Sequence, residues 1–221
     1  NGCTGDVYEE HYDILVLSPG ANPIRPKSIE GVDRSNVFTV RNVTDIVNLK
    51  KFVTDCQIQD VAVVGGGFIG IEVAENLSMD GRHVSVIEAQ DQIMAPFDYD
   101  MVQMLQKELL DHGVDVIVND GVSAIGEESI TLASGKEVKA GMTVLAIGAA
   151  PETGLAKAMG LELGETGAIK VDHNYRTSDP DIYAVGDAIE VFNRLTHKPS
   201  RLALAGPAQR QARAAADHMY G

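Results

Sequence analysis

Three glycines and one carboxylate carry the clearest chemistry in this 221-residue sequence. Gly65, Gly67 and Gly70 stand in a G-x-G-x-x-G spacing directly after the apolar run Val61-Ala62-Val63-Val64. The first glycine permits a tight turn, the second lets the backbone approach a pyrophosphate, and the third lets a helix pack closely on a strand. A helix opening there turns unpaired N–H groups and a partial positive charge toward phosphates. Glu88 closes the next apolar strand, 18 positions after Gly70. A carboxylate at that place accepts hydrogen bonds from the hydroxyls of an adenosine ribose. It would repel a 2′-phosphate, and Ala89-Gln90-Asp91-Gln92 supplies no arginine to receive one. The chemistry implied is binding of NADH in preference to NADPH.

The elements that must position these groups follow from hydrophobic periodicity. Tyr12–Leu17 predicts a buried strand stopped by Ser18-Pro19-Gly20, and 21–29, with Pro23 and Pro26, predicts a loop. Ile46, Leu49 and Val53, with Val47 alongside, predict a helix capped by Thr44 or Asp45. Ile69, Val73 and Leu77, with Ala74, mark a helix lying on a sheet, and His83–Glu88 the next strand. Met101, Met104, Leu105 and Leu109 give a further helix with Gly113 at its stop, then Val114–Val118 a strand. Residues 122–138 read as an antiparallel meander inserted where a helix would cross over, before the buried strand Met142–Ile147 ends at Gly148. The expected fold class is α/β, with a Rossmann-like doubly wound unit over 45–149 and a β-meander crossover. Beyond Pro151 come short strands at 167–171 and 182–185, and a helix opened by Gly206-Pro207 with a small face of Ala208, Ala212, Ala215 and Met219.

Composition narrows the function classes. The chain is 44% hydrophobic and 23% charged, enough for one large or two small cores, and aromatics are only 5%, which suits helices lying close on a sheet. A net charge of −14 repels nucleic acid and anionic lipid, so neither is an expected partner. Cys3 and Cys56 form no CxxC pair; they read as structural or exposed bystanders and fit a reducing, cytoplasmic setting. No apolar run approaches the roughly 18 residues of a membrane span. No signal-peptide pattern opens the sequence, so the sequons at Asn42 and Asn76 read as chance. His11, His83, His112, His173, His197 and His218 are scattered, no HExxH or GxSxG occurs, and no metal site is expected.

With these motifs in hand, the chain resembles the pyridine nucleotide-disulfide oxidoreductase family over nearly its whole length. Val63–Glu72 resembles the family's NAD motif. Leu15–Pro23 and Leu145–Pro151 resemble the two crossings between its dinucleotide domains, with Ser18-Pro19 replacing Ala-Thr in the first. Thr177–Ala188 resembles the late FAD motif. Leu202–Gln211 is similar to the branch of coenzyme A-disulfide reductases, NADH oxidases and persulfide reductases, and Arg41 matches that branch more loosely.

The resemblance implies an NADH- and FAD-dependent enzyme in which hydride passes from NADH to FAD and on to a disulfide, persulfide or CoA-linked substrate. It implies that Gly65, Gly67, Gly70 and Glu88 hold NADH, with Phe68 and Glu72 near the nicotinamide. Ser18, Gly20, Gly186 and Asp187 fall on the FAD side, and Ile69, Gly148 and Ala188 complete the cofactor-binding set. Phe68 reads either as an aromatic gate or as a core residue at the helix start. Asp187 alone would read as a cap or turn residue. One departure is large: the family's own FAD G-x-G-x-x-G, its redox cysteine and its dimerisation domain find no match here. The chain is therefore expected to be a central segment. Residues 1–44 would end a first FAD-domain part, 45–149 form the NAD domain and 150–221 a second FAD part, from a parent that is a homodimer. By itself such a segment would hold FAD weakly and would carry no catalytic residue. A ferredoxin- or rubredoxin-reductase-like or oxygen-reducing enzyme without a thiol step remains an alternative, as does a module that only binds NADH.

Overall fold

The computed structural model describes residues 4–221, so Cys3 lies outside the described residues. In chain order the elements are β1 (Leu15–Leu17), β2 (Ala21–Pro23), β3 (Val37–Thr39), α1 (Val43–Asp55), β4 (Asp60–Val64), α2 (Phe68–Met79), β5 (His83–Ile87) and α3 (Tyr99–Asp111). There follow β6 (Asp115–Ile117), β7 (Val122–Ile125), β8 (Ser129–Leu132), β9 (Glu137–Lys139), β10 (Met142–Leu145), β11 (Ala149–Pro151) and α4 (Gly154–Ala158). The last are β12 (Ile169–Lys170), β13 (Ile182–Ala184), β14 (Ile189–Asn193), β15 (Lys198–Ser200) and α5 (Ala205–Tyr220). They form two compact units, one of Pro23–Ala149 and one of the chain up to Asn22 with Ala150–Gly221.

The Pro23–Ala149 unit is built on a five-stranded sheet of order β3-β10-β4-β5-β6, parallel throughout. Its central strands β4, β5 and β10 are buried on both faces, which is why Val61-Ala62-Val63-Val64 is apolar without alternation. Val61, Val63, Val84, Val86, Met142 and Val144 face one core with Leu49 and Val53 of α1, Ala74 and Leu77 of α2, and Val102 and Leu109 of α3. Ala62, Val64, Ile87 and Leu145 face a second core with Ile125, Ile130 and Leu132 of the meander. A slip of one residue would exchange the two sets, so burial fixes the register. The expected α/β class and the antiparallel meander β7-β8-β9 are present, and the meander is the layer opposite the helices.

Several local expectations change. The unit begins at Pro23 rather than near 45, because β3 pairs with β10 and Ile29, Val32 and Val37 enter the second core. Helix α1 starts earlier: Asn42 is its cap, accepting from the Asp45 N–H while Asp45 accepts back, and Ile46 and Val47 face solvent. On α2, Ile71 turns inward and Ile69 outward. On α3, Val102 is buried, whereas Met101 and Met104 are exposed. In each case part of the predicted stripe turns outward while Leu49 and Val53, Ala74 and Leu77, and Leu109 keep their expected place in the core, since a helix whose outer face also carries Ile or Met offers more than one stripe.

The second unit holds the parallel pair β1–β13 and the three-stranded sheet β12-β14-β15. The strand at β1 is shorter than expected, leaving Tyr12 and Ile14 exposed, and the expected loop over 21–29 includes β2. Helix α5 begins two residues before Pro207 and buries Gln211 and Ala215, with Ala212 turned to solvent.

At the start of β4 and β5, Asp60 receives Lys139 Nζ at 2.8 Å and His83 Nδ1 at 3.2 Å, while His83 Nε2 lies 3.2 Å from Asp115 Oδ2. The hydrogen bond from Lys139 holds the Asp60 carboxyl below its ordinary value near 3.8, against the opposing effect of burial. A depressed folded pKa contributes stability above the ordinary value, and that contribution is lost as pH falls through the folded one. Asp60→Asn should therefore lower unfolding stability in urea at pH 5, and the gap to wild type should shrink progressively below the ordinary carboxylate value. A gap that persists undiminished there would contradict this role.

Candidate nucleotide-binding site

The glycine turn sits between the end of β4 and α2. Gly65 has φ +106, and a Cβ there would lie 2.5 Å from the Ala146 carbonyl oxygen. A Cβ on Gly70 would lie 1.9 Å from the Gly65 carbonyl oxygen, so helix and turn touch backbone to backbone. Gly66 is closed by Ile93, whose Cγ2 would be 2.6 Å from a Cβ. Gly67 differs from all three: its φ is −82°, and no atom stands within 4 Å of where its Cβ would be. Three glycines are thus closed in by their neighbours, and the fourth opens onto free space.

Gly67 is also the cap of α2, with no side chain bonded to the helix's first N–H groups. Those donors have no intrahelical partner and carry the positive end of the helix dipole. The open space over Gly67 is the place such donors address, and it suits an anionic group. Glu88 follows β5 half-buried, its Oε2 accepting from the Gly66 N–H and its Oε1 from the Gln90 N–H, both at 2.8 Å. Each carboxylate oxygen keeps a second lone pair for a further donor.

The other sequence-predicted residues of this unit are placed as follows. Phe68 and Ile69 are about half exposed on the first turn of α2, and Glu72 is exposed one turn on. Gly148, φ +113, ends the segment after β10, and its carbonyl accepts from the Ile24 N–H at 3.1 Å. Phe97 was not legible as part of this site, because its contact with Phe68 spans 29 positions and a loop. Their ring centroids lie 5.9 Å apart, edge to face.

In the other unit, β1 and β13 run parallel with Leu17 opposite Ala184, and the Val185 N–H donates to the Leu17 carbonyl at 3.0 Å. Ser18 and Gly186 therefore emerge at the same strand ends. Gly186, φ +83, opens a turn of 3-10 helix through Ala188, and its N–H donates to buried Gln211 Oε1 at 2.8 Å. Asp187 is half-buried at that turn, and Gly20 has φ +74. Ala188 is fully buried in the core with Leu17 and Ile182, backbone included. Gln211 was overlooked in the sequence because it lies on the stripe read as small alanines.

Among the described residues no cluster of His, Cys, Asp and Glu could hold a metal, and no helix is long and apolar enough to cross a membrane. Cys56, the C-cap of α1, is exposed and unpaired with sulfur.

The four glycines separate into two testable kinds. Gly67→Val should cost no more than about 1 kcal/mol, the scale of a changed helix cap, and should abolish NADH binding by filling the open space. Gly70→Val should cost at least about 4 kcal/mol, because the side chain meets backbone that cannot give way. Thermal unfolding and calorimetric titration with NADH read both; a Gly67→Val chain that binds NADH normally would remove Gly67 from the site.

Known proteins share this fold over nearly the whole chain. The chain is 33% identical to a coenzyme A disulfide reductase of Staphylococcus epidermidis, over 100% of this chain and 50% of that protein. The solved structure of reduced Bacillus anthracis CoADR-RHD superposes with a TM-score of 0.95 at 43% identity, covering 99% of this chain and 40% of that one. A NAD-dependent persulfide reductase from A. fulgidus gives 0.90 at 34% identity, covering 95% and 39%. The chain spans about half the length of the curated relative it matches. The model of the pyridine nucleotide-disulphide oxidoreductase family matches residues 2–212, and the chain belongs to that family.

Proposed function

We propose that the Pro23–Ala149 unit holds NADH, and that the chain up to Asn22 with Ala150–Gly221 contributes to an FAD site. In the whole protein, hydride from NADH would pass by way of FAD to a small disulfide, persulfide or CoA-linked substrate. The observation that carries this reading is the open space over Gly67, framed by glycines that the fold itself requires and by uncapped helix donors. The relatives named coenzyme A disulfide reductase and persulfide reductase support the substrate class.

When bound, the two cofactors supply hydride and electron transfer. The chain's own residues position them. Gly67 and the first N–H groups of α2 receive the pyrophosphate, and Glu88 accepts from the adenosine ribose. Phe68, Ile69, Glu72 and Gly148 border the remaining half of NADH. On the flavin side, Gly20 and Gly186 use positive φ to bring the backbone close, Asp187 accepts from sugar hydroxyls, Ser18 completes the edge, and Ala188 anchors the turn in the core beneath it. Helix α5 starts with no acidic residue in its first turn, which leaves its positive end free to stabilise an anionic reduced ring. We further propose a cytoplasmic homodimer for the whole protein, without nucleic-acid or membrane partners, in line with the acidic balance of the chain.

Cofactor choice tests the NADH reading. A hydrogen bond to a charged acceptor is worth about 1.5–3 kcal/mol, and NADPH would lose it while placing a phosphate beside Glu88. The chain should prefer NADH by at least about tenfold, since about 1.4 kcal/mol is one decade. Glu88→Ala should weaken NADH and narrow that gap, and Gln90→Arg added to it should narrow it further. Dissociation constants for both nucleotides decide the matter; equal wild-type affinities, or an unchanged ratio in Glu88→Ala, would show that Glu88 does not read the ribose.

A further inference from the structure

Residues 89–98 lead from β5 to α3 and are fastened to the glycine turn. The Met94 N–H donates to the Gly66 carbonyl at 2.7 Å, and fully buried Ile93 closes off Gly66. Met94 turns the chain with φ 49. The Phe97 N–H then returns to the Met94 carbonyl at 3.0 Å, and the Phe97 carbonyl accepts from the Gln92 side chain at 2.9 Å. The segment thereby delivers Phe97 to a fixed place, where its ring meets Phe68 at an interplanar angle of 71°. Phe68 alone, on the first turn of a helix and 52% exposed, could take other rotamers; an edge-to-face neighbour selects one. Phe97 is itself 47% exposed, so the pair presents apolar surface at the rim of an anion-receiving turn instead of burying it.

We propose that Phe97 is a positioning residue for NADH: it holds the Phe68 ring in one orientation and so gives the site a wall for the nicotinamide half. The order along the turn supports this. Glu88 fastens to Gly66, the space opens at Gly67, and Phe68 stands next beyond it. With the adenosine ribose at Glu88 and the pyrophosphate over Gly67, the remaining half of the dinucleotide extends toward Phe68. The inference rests on the NADH reading above and adds a residue outside every motif of the sequence.

The full 221-residue chain contains no tryptophan, so the emission of reduced nicotinamide can be followed without interference from one. NADH and ADP-ribose, which lacks the nicotinamide, are titrated into wild type, Phe97→Leu and Phe97→Tyr. Phe97→Leu should raise the NADH dissociation constant about three- to tenfold and reduce the emission gain on binding. Its ADP-ribose constant should change by less than about twofold, the lower limit of a lost ring pair. Phe97→Tyr, which keeps the ring, should behave as wild type. Equal weakening of both ligands would mark a general loosening of the turn, and an unchanged NADH constant would mark an idle contact; either overturns the proposal. A wild-type chain that binds neither ligand would overturn the NADH reading itself, and this inference with it.

Discussion

The structure around the nucleotide turn depends on one contact between backbones. Gly70 lies so close to the carbonyl of Gly65 that a single added carbon would fall 1.9 Å from that oxygen. This approach sets the first turn of α2 directly on the end of β4, and it fixes where the helix's unpaired N–H groups point. Gly65 is held from the other side by the Ala146 carbonyl just past β10. The two central strands and the helix therefore converge on one turn, and Gly67 is left as the place where the backbone faces open space.

The rest of the Pro23–Ala149 unit keeps that turn rigid. Its central strands bury both faces, one under three helices and the other under the meander. Full burial of a valine or isoleucine side chain contributes about 1.5–3 kcal/mol, and the central strands supply a row of them on each side. The site accordingly sits at the end of the most strongly held strands. Residues 89–98 then carry the order outward, since Glu88 and Met94 bind the same glycine, Gly66, from its N–H and its carbonyl.

Much of this was legible in the residues. The strands on either side of the glycine turn and the close packing at Gly65 and Gly70 were legible because each is a local pattern with one physical reading. The meander was legible from its turn residues, Gly126-Glu127-Glu128 and Ser134-Gly135-Lys136. Helix faces were harder. Ile69 and Met101 fit an apolar stripe as well as Ile71 and Val102 do, and only packing against the sheet decides between them. Long-range pairings were not legible: Phe68 with Phe97, Gly186 with Gln211, and β3 with β10 all join residues whose types announce nothing. The boundary at Pro23 was missed for that last reason.

The central claim is that a dinucleotide lies over Gly67 with its ribose at Glu88. An amide-resolved NMR titration of the isotope-labelled chain with NADH tests it most directly. The largest shift changes should fall on the N–H groups of Gly66, Gly67, Phe68, Ile69 and Gln90, because these would face the pyrophosphate or share the Glu88 carboxylate. Changes that leave those amides unmoved while others respond, or no saturable change at all, would contradict the account.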